Sequence, residues 1–108
     1  MSIKTEILTG RDCGQMKTEI MFFIASARSC GAELFKIRIK PVFNEERELR
    51  RIESAARILR NLKQRGSVQL FASSADFDTS LTEIEYLKNK YPGVTETKNE
   101  GVFFIVKL

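Results

Sequence analysis

The chain has 108 residues, room for one hydrophobic core of ordinary size rather than two. Its 43% hydrophobic and 30% charged residues exclude the compositional regime of disorder. The absence of histidine, with only two cysteines, excludes a zinc site and a catalytic histidine.

The most apolar run, Ile20 to Ala25, is far shorter than the ~20 residues that span a bilayer. The first residues carry charge almost at once and do not resemble a signal peptide. The expectation is therefore a cytoplasmic domain without a membrane partner. Cys13 and Cys30 stand at opposite ends of one expected helix, about 25 Å apart. A disulfide needs Cα atoms within about 7 Å, so both are expected as free thiols.

In chain order, Ile3 to Thr9 alternates as a strand with Ile3, Thr5 and Ile7 on one side. A turn at residues 10–14 leads to a helix over Gln15 to Ser29. Met16, Ile20, Phe23, Ile24 and Ala27 form its apolar stripe, which Met21 and Phe22 widen. Cys30-Gly31 stops it. Leu34 to Lys40 is the clearest strand, with Phe35, Ile37 and Ile39 on one side and Lys36, Arg38 and Lys40 on the other. Asn44 is a good N-cap for a helix running to about Arg65, with Leu49, Ile52, Ala56, Leu59 and Leu62 as its core face. A short strand over Val68 to Ala72 follows. Ser80 and Glu83 then have capping-box spacing for a helix that turns Leu81, Ile84, Leu87 and Tyr91 inward. Residues 94–98 and Val102 to Leu108 read as a hairpin. The last strand is apolar on both sides, which suits a central position.

The order β-α-β-α-β-α-β-β predicts a single-domain α/β sandwich, two or three layers deep, with three helices and a mixed sheet of about five strands.

Charge is concentrated in the middle of the chain. Residues 36–65 hold ten basic and four acidic side chains, whereas the rest holds eight basic and ten acidic ones. Arginine's planar fork suits phosphate oxygens, and clustered cations gain affinity by displacing counterions from nucleic acid. The competing reading is a solvated helix face. Glu46–Arg50 and Glu53–Arg57 have the favourable spacing for pairs within a helix, and such pairs absorb part of the field. The candidate contacts to RNA or DNA are Lys36, Arg38 and Lys40 on the strand with Arg47, Arg50, Arg51 and Arg57 on the helix.

Other candidates are weaker in chemical terms. Asp76 and Asp78 can be read as two magnesium ligands, or as loop residues preceding the helix that Ser80 starts. Gly10 and Gly14 flank a turn before a helix, but their spacing is not that of a phosphate-binding loop. Phe103 and Ile105 share one side of the last strand. Left uncovered, they would stack on bases or pack against a second copy of the chain; helices on both sheet faces would bury them. No catalytic residue, metal or cofactor is expected.

Two stretches resemble the Smr (small MutS-related) domain. One runs from Ile7-Leu8-Thr9-Gly10 to the strand Phe35-Lys36-Ile37-Arg38-Ile39-Lys40. The other runs from Ser80 through Lys90-Tyr91-Pro92-Gly93-Val94 to Leu108. The resemblance implies an α/β fold related to the C-terminal domain of translation initiation factor three, and contact with nucleic acid. The family's Asp-Leu-His-Gly-like element is replaced by Ile7-Leu8-Thr9-Gly10, and its His-Gly-x-Gly turn by Lys40-Pro41-Val42-Phe43. The motifs linked with cleavage are therefore missing. The leading expectation is a non-enzymatic nucleic-acid-binding module; the alternative is a small protein-interaction or self-associating domain.

Overall fold

The alternation of apolar side chains along each strand decides which side of the sheet a helix can cover. In the computed structural model, which describes residues 3–40, 45–74, 82–91 and 101–108, there are four strands: β1 (Ile3–Leu8), β2 (Leu34–Ile39), β3 (Leu70–Ser73) and β4 (Phe103–Lys107). They form a mixed sheet in the order β1-β2-β4-β3. β1 and β2 are parallel, and β4 runs antiparallel to both of its neighbours. The expected strand over residues 94–98 lies outside the described residues, as do Asp76, Asp78 and Ser80.

Helices α1 (Cys13–Ser29) and α2 (Glu45–Gln64) lie on one face of this sheet, and α3 (Thr82–Lys90) lies on the other. The larger core joins Ile20 and Ile24 of α1, and Leu59 and Leu62 of α2, to Phe35 and Ile37 of β2 and Phe104 and Val106 of β4. The smaller core joins Ile84, Leu87 and Tyr91 to Leu34, Ala72, Phe103 and Ile105. β4 is buried on both faces, as its two-sided apolar pattern requires. Phe103 and Ile105 are fully covered by α3 and are not an exposed interface. Burying side chains of this size stabilises the fold by roughly 1.5–3 kcal/mol each, which is why α3 sits there rather than leaving the face open.

Two helices stop the same way. Gly31 and Gly66 have φ of 70° and 77°, a conformation that side chains with a Cβ disfavour. Around each, the next two backbone N–H groups return to the last turn: Gly31 to Arg28 and Ala32 to Ala27, then Gly66 to Lys63 and Ser67 to Leu62.

The helix faces differ from expectation at two places. Met21 and Phe22 do not widen the α1 stripe; they are 44% and 69% exposed. Leu49 is 59% exposed, and the α2 core line runs instead through Arg51, Ala55, Ile58, Leu59 and Leu62. In β1 the core residue is Leu8, while Ile7 on the opposite face is 48% exposed, because α3 does not extend over this edge strand.

Candidate functional site

The basic residues singled out from the sequence fall on two sides of the sheet. Phe35, Ile37 and Ile39 face α1 and α2, so the alternate residues Lys36 and Arg38 face the α3 side. There Lys36 Nζ lies 3.9 Å from the centre of the Phe103 ring. Arg38 is half-buried, and its Nε has no hydrogen-bond partner among the described residues. Lys40 follows the end of β2 and is exposed. The strand cations and the α2 arginines therefore do not make one surface: the sheet stands between them.

Arg51 is set apart from the other arginines of its helix. It is 3% exposed and points under the β1–α1 turn. Its Nε donates to the Gly10 carbonyl at 3.0 Å and its Nη2 to the Leu8 carbonyl at 2.8 Å, while Nη1 reaches the Lys40 carbonyl. One guanidinium thus ties together the C-terminal ends of the two parallel strands. The turn itself leaves no room for a larger residue at Gly10, where a Cβ would lie 2.8 Å from the Met16 backbone nitrogen.

What the structure does bring together is a groove between α1 and α2. Its first hollow, about 280 Å³, is lined by Arg11, Arg47, Arg50 and Arg51. A second, about 150 Å³, is lined by Lys17, Arg57 and Arg65, and the two share Cys13. Among the described residues the one carboxylate on these walls is Asp12, the N-cap of α1, and it accepts the Gln15 N–H at 2.8 Å. Gln15 in turn accepts the Arg11 N–H at 2.9 Å, so the acidic group is engaged in starting the helix. The positive end of the α1 dipole opens on the same hollow.

The ion pairs expected along α2 do little to neutralise this groove. Glu46 and Arg50 approach to 3.9 Å with both side chains about four-fifths exposed, a pairing of small energetic weight. Among the described residues Glu53 and Arg57 form no ion pair. Arg11, Lys17 and Arg65 were not among the expected contacts. Lys17 and Cys13, four apart on α1, share a flank of that helix, but nothing local says that α2 packs beside it.

A separate polar cluster closes the far end of α3. Lys90 and Lys107 place their ammonium groups 3.0 and 3.2 Å from the Tyr86 hydroxyl. Those hydrogen bonds, that of Lys90 foremost, hold the Tyr86 phenol below its ordinary pKa. Tyr91 is pushed up by burial and by its hydrogen bond to Glu33 at 3.0 Å.

Both cysteines are free and exposed. Among the described residues no group of three His, Cys, Asp or Glu side chains could hold a metal ion, and no helix is long and apolar enough to cross a membrane. Compared with known proteins, the chain matches no family model, no curated sequence and no solved structure.

Proposed function

We propose that this chain binds RNA or DNA as a non-enzymatic module, with the phosphate backbone running along the groove between α1 and α2. The observation that carries the reading is the wall composition among the described residues: seven basic side chains, against one carboxylate already committed to a helix N-terminus. From Arg47 to Arg65 the α2 side of the groove extends about 27 Å, enough for several successive phosphates. Arg47, Arg50 and Arg57 keep the role the sequence suggests. Arg51 contributes charge to the floor while its donors hold the strand ends. Lys36, Arg38 and Lys40 belong to a different surface and are not part of this contact. The resemblance to the Smr domain points to the same ligand class, and a chain without histidine lacks the residue on which that family's cleavage motifs rest.

Fluorescence anisotropy with labelled RNA and DNA oligonucleotides tests the proposal. The logarithm of affinity should fall linearly with the logarithm of salt, with a slope of about −3 to −5 for four or five neutralised phosphates. Arg57→Glu combined with Arg65→Glu should weaken binding at least about tenfold and flatten that slope. Lys36→Glu, on the far side of the sheet, should leave both nearly unchanged. A chain that binds neither oligonucleotide at low salt, or a double variant that binds as tightly as the parent, would refute it.

A further inference from the structure

Among the described residues β1 is an edge strand, and its open side has a defined length. The Leu8 carbonyl accepts the Lys40 N–H, so Leu8 turns its backbone groups toward β2, as do Glu6 and Lys4 by strand alternation. The backbone groups of Ile3, Thr5, Ile7 and Thr9 therefore face away from the sheet. Thr9 is already occupied: its N–H and its hydroxyl both donate to the Glu19 carboxylate at 3.1 Å. That leaves Ile3, Thr5 and Ile7, with Thr5 at the midpoint of the free edge.

From this geometry we infer that β1 pairs antiparallel with β1 of a second copy, about a two-fold axis at Thr5, to make one sheet continuous across both molecules. The register follows from the strand itself. With the axis at Thr5, the two threonines exchange hydrogen bonds, and Ile3 pairs through its backbone with Ile7 of the second copy. Lys4 then faces Glu6 of the second copy, and Glu6 faces its Lys4, with Cβ atoms about 4.5–5.5 Å apart. Within one chain Lys4 and Glu6 already lie 3.3 Å apart on the same face, so pairing closes an alternating ring of four charges. An axis one residue earlier sets Lys4 against Lys4, and one residue later sets Glu6 against Glu6. Charge therefore selects the Thr5 register.

The surroundings fit a covered edge. Ile7 is 48% exposed on one face of the strand. On the other face α1 runs along it, held by Glu19 to Thr9 and by Ser26 to Lys4. Phe22, one helical turn from both Glu19 and Ser26, is 69% exposed on that flank. A second copy related by this axis brings the two α1 flanks alongside each other and gives Phe22 an apolar neighbour.

The test is a charge exchange followed by light scattering and sedimentation. The parent should be a dimer. Lys4→Glu alone sets Glu against Glu, and Glu6→Lys alone sets Lys against Lys, so each variant should dissociate at least about tenfold more readily. Mixed together the two variants restore both opposite-charge contacts, and a heterodimer should form with affinity near that of the parent. Thr5→Pro, which removes an N–H that no described residue of the monomer accepts, should give a monomer with unchanged circular dichroism. A monomeric parent, variants that remain dimeric alone, or a mixture that fails to associate would each overturn the inference.

Discussion

Arg51 sits where a helix that packs on a sheet ordinarily places an aliphatic residue, and its three acceptors explain the exchange. Replacing it by methionine keeps most of the apolar stem but leaves the Gly10 and Lys40 carbonyls without their charged donor. Arg51→Met should cost about 3 kcal/mol, seen as a lower urea midpoint with unchanged slope. An unchanged midpoint would mean that water serves those carbonyls equally well. Arg51→Lys should recover only part of the loss, because one ammonium cannot reach three carbonyls in the plane of a guanidinium. The alternation of charge along α2 gave no sign of this role. The acceptors lie 11, 41 and 43 positions away, and an arginine in a helix is read as solvated unless a partner is visible nearby. With Arg51 turned inward, the α2 core face runs through Arg51 and Ala55 and leaves Leu49 exposed.

At the scale of the element, α3 was legible almost as it stands: Ile84, Leu87 and Tyr91 turn inward at the spacing the sequence shows. Its partners were not, since Lys107 comes from β4 and Glu33 from the turn just before β2. Those partners give α3 a spectroscopic signature. The chain has two tyrosines and no tryptophan, so ultraviolet absorbance of phenolate reads Tyr86 and Tyr91 alone. The titration should show two steps, Tyr86 below the ordinary value of 10.0 and Tyr91 above it. In denaturant they should merge into one. For Tyr91 the raised pKa means that its contribution to stability is complete below the ordinary value and lost as pH climbs through the folded one. Lys90, raised by its bond to Tyr86, acts with the same sign, while Tyr86 acts in the opposite direction over the interval below its ordinary value. Folded phenols that ionise together would contradict the arrangement.

Across the whole molecule, the α/β class, the three helices and the inner position of β4 followed from periodicity, because burial on both faces leaves a mark on every residue of a strand. The groove did not. Alternation along β2 separates Lys36 and Arg38 from Phe35 and Ile37, but the face that α2 covers is a property of packing. Both faces offer apolar residues, and the choice sends the strand cations and the helix arginines to opposite sides. The other walls, Arg11 and Lys17, come from a part of the chain with no local excess of charge.

The sheet order carries a consequence for how the chain is made. β4 is the strand that joins β2 to β3, and among the described strands β3 has no other neighbour. During translation the ribosome releases β1, α1 and β2 early, and they can begin to assemble. β3 must then wait, with α3 lacking Phe103 and Ile105 to rest on, until the residues at 103–107 clear the exit tunnel. Nascent chains stalled before that point should remain open to protease within β3 and α3, and should become resistant in a single step once those few residues emerge.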